Sequence, residues 1–492
     1  MKHISGLTII AALVHRSSAF VAQNSVGRQA KNLIAATIDI PSTVTEERKI
    51  ETIESNESEL DENSKFRCDE YVQFWMDFKS PTPEEAPEKL RRIVSPYVLN
   101  GSTEARAYWV YHMIRSGYFT GNAVVGAIAH TLHERFIRRS DKIASIFADG
   151  KTLDRYGLLL IEAFISYEQN WKWVEQGILN YPWDAAIQAS SERGLQFQLD
   201  HKQSNPLFAL SETSRLVRES IGVWGRRVRL EGKPSGVWLS NGETSNSDVQ
   251  YPSYYLNDFH YQTMGWLSSE SAENYEVSTE SLFFGRQDSM QRQTLVPLKK
   301  HFRNEAPERI LEVACGTGRF ATFTRDEFPT SQMTLVDLSP FYLAKARDNI
   351  KYWQDYRGST AMRLATGKES RAPDTTQFVQ ANAEKLPFPD NHFDAVTTVY
   401  LFHEMPHEAR VNTAKELARV CKPGGMVVFT DSTQDVDRPD LAGALQNFSL
   451  LNEPHYESYL KEDIPSLFDG YGLRCSEKYF NSRTKTLSFV KD

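Results

Sequence analysis

The sequence predicts an α/β fold, a doubly wound sheet over residues 293–492, behind a mostly α-helical domain over residues 66–231. Three observations predict it. Residues 309–318, Arg-Ile-Leu-Glu-Val-Ala-Cys-Gly-Thr-Gly, form an apolar strand-like run that breaks into a glycine-rich turn, with a helix expected from near Arg319. Residues 332–337, Gln-Met-Thr-Leu-Val-Asp, read as a second strand that ends in an acid about twenty residues past that turn, where a carboxylate meets a ribose. In the front part Tyr71, Phe74, Trp75 and Phe78, and again Tyr108, Val110, Tyr111 and Ile114, recur at helical spacing.

Residues 1–19 have the layout of a secretory signal peptide: Lys2, an apolar run over 7–14, then Ser17 and Ala19 before the expected cut. The run is too short to span a bilayer. The string from Ser17 to Ala22, with Phe20 at the new N-terminus, resembles the bipartite plastid presequence of algae whose plastids descend from a red alga. That resemblance implies a transit segment over 20–43, which has Arg28 and Lys31 and no acid before Asp39, and a destination in the plastid stroma. Residues 44–65 turn acidic and serine-rich and read as a solvated linker. The net charge of −8, with no basic stripe, argues against a general nucleic-acid binder. Cys68, Cys315, Cys421 and Cys475 are scattered and form no Cys-x-x-Cys pair, which argues against a disulfide scaffold and against a zinc site.

In the helical part, Ser102 is the expected cap of a helix from Thr103, and further helices are expected near 120–138, 153–177 and 211–229, the last capped by Ser211. Trp75, Trp109, Trp171, Trp173, Trp183 and Trp224 read as core rather than as a ligand box. Arg226, Arg227 and Arg229 read as the charged end of a helix, where cations complement the dipole. Residues 232–292 begin as a Gly-, Ser- and Asn-rich loop and continue as an aromatic lead-in, Tyr251-Pro252-Ser253-Tyr254-Tyr255-Leu256-Asn257-Asp258-Phe259-His260-Tyr261.

At the turn, Gly316 and Gly318 lack a Cβ, so a ligand can come close to backbone N–H groups at the start of the next helix. A third strand ends in Gln380-Ala381-Asn382-Ala383-Glu384, an apolar fourth strand covers 393–399, and Cys421-Lys422-Pro423-Gly424-Gly425 leads into a fifth. In this order the motifs resemble the class I S-adenosylmethionine-dependent methyltransferases, and most closely the methyltransferase type 11 branch, which includes quinone-methylating enzymes. The resemblance implies a Rossmann-like sheet of seven strands closed by an antiparallel pair near 473–479 and 486–490. It implies S-adenosylmethionine as cofactor, with Glu312 near its amino group, Gly316, Thr317 and Gly318 bordering the methionine part, and Asp337 on the ribose. Leu338 and Ala383 then lie against the adenine, and Tyr400 stands at the fourth strand end. Many relatives have an Asp where this chain has Asn382, whose amide oxygen can still accept from the adenine amino group. The lead-in and the helical domain resemble those of a cyanobacterial and plastid subgroup, which nominates Tyr255, His260, Tyr261 and Tyr275 as acceptor-pocket residues. His455 and Tyr456, in a later stretch like the same subgroup's, are nominated for the far wall.

Methyl transfer from a sulfonium chiefly demands proximity and alignment, and an acceptor hydroxyl adds the need for a base. His403, in Tyr400-Leu401-Phe402-His403-Glu404 after the fourth strand, is the expected general base, because imidazole titrates near neutral pH. The alternative role for His403 is to orient the loop by a hydrogen bond to Glu404. His403, Glu404 and His407 lack a matching fourth ligand, so no metal is expected. The expected function is methylation of a small, apolar plastid metabolite such as a quinone, isoprenoid or pigment precursor. Methylation of a protein, or a non-catalytic cofactor-binding or assembly role, are the alternatives. No partner other than a small-molecule acceptor is expected.

Overall fold

The computed structural model describes residues 67–136, 151–190, 194–230, 250–262, 264–373, 375–441, 445 and 452–492. The expected signal peptide, transit segment and acidic linker lie outside the described residues, as does most of the loop from 232.

The centre is one sheet of strands β1 (Arg67–Cys68), β4 (Arg309–Val313), β5 (Gln332–Asp337), β6 (Thr376–Gln380), β7 (Phe393–Val399), β8 (Cys421–Ser432), β9 (Leu473–Asn481) and β10 (Thr484–Lys491), in the order β1-β9-β10-β8-β7-β4-β5-β6. A separate hairpin joins β2 (Ile187–Ser190) and β3 (Gly194–Phe197). Strands β4 to β8 pair in parallel, and β10 runs antiparallel between β8 and β9. The seven expected strands are thus present, and the two residues of β1 add an edge by pairing with Glu477 and Lys478. Near-continuous burial along β4 and β5 is what a parallel sheet covered on both faces requires. The strand order reverses at β4, which has β5 on one side and β7 on the other, and open α/β sheets present ligands at that point.

The helices in chain order are α1 (Glu70–Met76), α2 (Ala86–Asn100), α3 (Thr103–Phe136), α4 (Lys151–Glu175), α5 (Pro206–Leu230), α6 (Ser269–Leu282), α7 (Gln287–Arg292), α8 (Leu295–His301), α9 (Arg319–Glu327), α10 (Pro340–Trp353), α11 (Ser359–Thr366), α12 (His407–Val420), α13 (Tyr456–Leu460) and α14 (Ile464–Phe468). Ser102 caps α3 as expected, its hydroxyl accepting from Ala105 N–H at 3.1 Å. Two expected helices are one, because α3 runs through Gly117 and Gly121, where glycine costs only about 1 kcal/mol per residue and packing outweighs it. Helix α5 starts five residues before the expected cap. Asn205 Oδ1 accepts from Leu207 N–H at 2.9 Å and Pro206 takes the first position, whereas the Ser211 hydroxyl donates to Phe208 O inside the helix.

Trp75, Trp109, Trp171, Trp173 and Trp183 are all buried in the core, and the side chain of Trp224 lies outside the described residues. Trp173 and Trp183 pack with Leu295, Phe320, Phe323 and Val428, so helical part and sheet share apolar contacts. Buried charge joins them as well. Arg115 of α3 meets Glu280 and Asp288 at 2.6 Å each, and Asp288 meets Arg319 at the start of α9, also at 2.6 Å. Glu162 of α4 faces Arg286, Arg438 and Arg483 at 3.4, 3.8 and 3.2 Å. No helix of the described residues is long and apolar enough to cross a membrane.

Candidate functional site

The carboxyl ends of β4, β5, β6 and β7 open into a cavity of about 690 Å³. Its floor is the strand ends, with Ala314, Gly316, Asp337, Leu338, Asn382, Ala383 and Tyr400. Its roof is the lead-in and α6, with Tyr255, His260, Tyr261 and Tyr275. One wall holds His403, Glu404, Glu453 and Tyr456, and the cavity continues between α3 and α5 past Gly126, Leu216 and Val223.

The floor is shaped by left-handed backbone at Ala314 (φ 59°), Gly316 (55°), Gly318 (69°) and Tyr400 (56°). At Gly316 a Cβ would meet nothing nearer than Tyr342 Cδ1 at 4.0 Å, so the missing side chain leaves space over the turn. Asp337 ties the first two strand ends together. Gly316 N–H donates to its Oδ2 and Ser339 N–H to its Oδ1, each at 2.8 Å. Burial raises this carboxyl to about 6, against those N–H groups. Each oxygen keeps a further lone pair for a ligand hydroxyl.

Three residues expected on the cofactor do not line the cavity. Glu312 is buried within β4, its carboxyl held well above the usual range by burial and by Asp337, and its Oε2 has no hydrogen-bond partner among the described residues. Thr317 is buried, and its carbonyl accepts from Asn349 Nδ2 at 2.9 Å. Gly318 faces α10 instead: a Cβ there would lie 2.8 Å from Ala346 Cβ and 3.0 Å from its Cα. Its glycine therefore lets α9 and α10 approach. Gly318→Ala is expected to destabilise the fold by roughly 2–4 kcal/mol, from overpacking plus left-handed strain; an unshifted urea midpoint would reject this packing role.

Asn382 is committed locally, its Oδ1 accepting from Glu384 N–H at 3.0 Å, which leaves one lone pair of the oxygen that the sequence offered to an adenine. The lead-in closes over these ends through aromatic and polar contacts. Tyr251 and Tyr255 stack with centroids 5.9 Å apart, Gln380 Nε2 donates to the Tyr251 hydroxyl at 3.0 Å, and Tyr254 donates to Glu384 at 2.8 Å. Tyr275 meets Trp266 and Tyr342 edge to face.

His403 stands where its sequence position suggested, with Asp431 as a closer partner than Glu404. Its Nδ1 lies 2.6 Å from Asp431 Oδ1, at the end of β8, while its Nε2 is 3.5 Å from Glu404 Oε1. Burial opposes charge on the ring, yet Asp431 and Glu404 together raise its pKa well above the ordinary 6.5. The loop is oriented by Asp431, whose Oδ2 accepts from Phe402 N–H at 2.8 Å. His407 is exposed and pairs with Glu462. Tyr456 lines the cavity, its hydroxyl 2.6 Å from Ser432 Oγ. His455 does not line it; the ring lies against Tyr254 and its carbonyl accepts from Arg410. Among the described residues no three His, Cys, Asp or Glu side chains are grouped to hold a metal ion.

Sequence reasoning missed Asp431 and Glu453 as site residues. Asp431 had a usable signal, an acid at a strand end in Thr430-Asp431-Ser432, whereas Glu453 had none, because its approach depends on a distant segment.

Comparison with known proteins adds the following. Residues 311–429 match the family model described as a methyltransferase domain, Methyltransf_11. A ubiquinone/menaquinone biosynthesis C-methyltransferase of Pseudomonas putida is 34% identical over 134 residues, 27% of this chain and 45% of the relative. The protein of the same name in Ectopseudomonas oleovorans is 37% identical over 121 residues, 24% of this chain and 60% of the relative. The chain thus spans about half the length of the curated relatives it matches. Among solved structures, human N-acetylserotonin methyltransferase in complex with SAM aligns over 76% of this chain and 94% of its own, at 14% identity and a TM-score of 0.37.

Proposed function

We propose that this chain, in which residues 311–429 are a class I S-adenosylmethionine-dependent methyltransferase domain, transfers a methyl group to a small, largely apolar acceptor of quinone type. The observation that carries this reading is that a single cavity joins the glycine turn and Asp337 to the His403–Asp431 pair. The curated relatives named above are ubiquinone/menaquinone biosynthesis C-methyltransferases, which supports that acceptor class. The presequence-like residues 1–43 support a plastid as the place of reaction.

The residues present fit S-adenosylmethionine. Gly316 leaves open space over the turn and Asp337 offers two acceptor oxygens. Leu338 and Ala383 give an apolar bed for the adenine beside Asn382, and Tyr400 bounds the methionine end. When bound, the cofactor supplies a methyl group on a sulfonium, open to in-line displacement. Asp431 orients His403 by accepting from Nδ1–H, so that in the neutral ring Nε2 takes the proton of an acceptor hydroxyl, such as that of a hydroquinone. Tyr255, Tyr261, Tyr275 and Tyr456 exclude water from the acceptor and hold its apolar body.

Asp337→Ala is expected to weaken S-adenosylhomocysteine binding by about an order of magnitude or more, through loss of charge-assisted hydrogen bonds. Unchanged affinity by calorimetry would remove Asp337 from the site. Incubating the protein with methyl-labelled S-adenosylmethionine and a plastid extract, with Asp337→Ala as control, tests the function itself. Label extracted with organic solvent supports an apolar acceptor. Label on protein, or none above the control, overturns the reading.

A further inference from the structure

Two segments distant in sequence meet on one wall of the cavity. His260 comes from the lead-in and Glu453 from the stretch before α13. Both neighbourhoods use left-handed backbone at non-glycine residues: His260 (φ 53°), Tyr261 (54°) and Asn452 (63°). Such conformations persist only where surrounding contacts over-determine them. Here the contacts are a reciprocal amide clamp. Asn452 Nδ2 donates to Asp258 O at 2.7 Å and to Asn257 Oδ1 at 3.1 Å, while Asn257 Nδ2 donates to Asn452 O at 3.2 Å.

The clamp sets His260 Nδ1 3.2 Å from Glu453 Oε1 and His260 Nε2 3.8 Å from Glu404 Oε1, the oxygen that His403 Nε2 faces at 3.5 Å. The last two separations exceed good hydrogen bonds. Oε2 of Glu404 and Oε2 of Glu453 are buried without a hydrogen-bond partner among the described residues, Glu453 is 1% exposed, and both residues line the cavity. Orphaned buried acceptors of this kind demand a donor. A hydroxyl suits the place, because it donates to a carboxylate and accepts from an imidazole N–H at once. An ammonium only donates, and it would face two imidazoles whose protonated form is favoured by neighbouring carboxylates.

We propose that His260, Glu404 and Glu453 form a second polar subsite, which binds a hydroxyl of the acceptor away from the position that is methylated. His260 and Glu453 are then specificity residues, and His403 with Asp431 remains the reacting pair. The subsite rests on the proposed methyl transfer for its occupant, but binding alone tests it. The full chain, saturated with S-adenosylhomocysteine, is titrated with 1-naphthol and with 1,3-, 1,5- and 2,6-dihydroxynaphthalene, following tryptophan fluorescence. At least one diol is expected to bind about tenfold tighter than 1-naphthol, the scale of a hydrogen bond to a charged group. Glu453→Gln and His260→Gln are each expected to abolish that preference while S-adenosylhomocysteine affinity stays unchanged. No preference in the unaltered protein, or a preference retained by both variants, overturns the subsite. A preference that depends on Glu453, together with no methyl transfer to any acceptor, would instead overturn the proposed function and leave the subsite standing.

Discussion

His403→Ala is expected to slow methyl transfer by roughly a hundredfold or more, the usual contribution of a positioned base, with S-adenosylhomocysteine affinity unchanged. The ring is held by Asp431 at 2.6 Å and shares the cavity with Gly316 and Asp337. A normal rate in the variant would return His403 to holding the loop. The pH dependence separates these roles further. Because the folded-state pKa is raised, the ring carries its proton at neutral pH, and the basic form grows only as pH rises through that value. The rate is therefore expected to climb on the alkaline side. Asp431→Asn removes the charge that favours the imidazolium, so the rising limb should move to lower pH. A pH–rate profile that does not move would show that His403 is not the group being titrated.

Glu162→Ala is expected to destabilise the protein by about 3–5 kcal/mol, the cost of leaving buried charge without its partner. Glu162 is 2% exposed and faces Arg286, Arg438 and Arg483, and it also accepts from Ser482 Oγ at 3.1 Å. Arg438 keeps Asp440 at 2.7 Å, but Arg286 and Arg483 lose their carboxylate. Burial opposes the charge on Glu162, yet Arg483, Arg286 and Arg438 outweigh it and hold the carboxyl down at about 2. A depressed folded-state value stabilises fully above the ordinary 4.5, and that contribution is lost as pH falls through about 2. Urea denaturation at pH 7 and pH 3 checks both points. The variant should lose less stability on acidification than the parent, and equal losses would deny Glu162 this role. Arg286 and Arg483 line the cavity, so the same carboxylate also fixes part of its wall.

The strand-turn-helix at 309–319 was legible because its signals are local: an apolar run, glycines at left-handed positions, and an acid one strand later. For the same reason β4, β5 and β7 fell where hydrophobic patterning put them, and the closing pair fell where the family resemblance put it. The roles of Gly316 and Gly318 were not separable in one dimension, since one faces the cavity and the other Ala346. Nor was the start of α5, where Asn205 and Pro206 supplied a stronger cap than Ser211. His455 was misplaced because sequence adjacency does not fix which side chain of a helix start faces inward, and here Tyr456 lines the cavity while the His455 ring packs on Tyr254.

By itself the sequence determined the fold class, the glycine turn with Asp337 at the next strand end, and the loop that carries His403, because backbone geometry and strand periodicity are written in near neighbours. Only the tertiary structure decided which acid holds His403, which buried carboxylates confront His260, and that the helical part supplies cavity wall. Those facts depend on contacts between residues far apart in the chain, such as Asn257 with Asn452 and Glu162 with Arg483, and no local pattern encodes the partner at the other end.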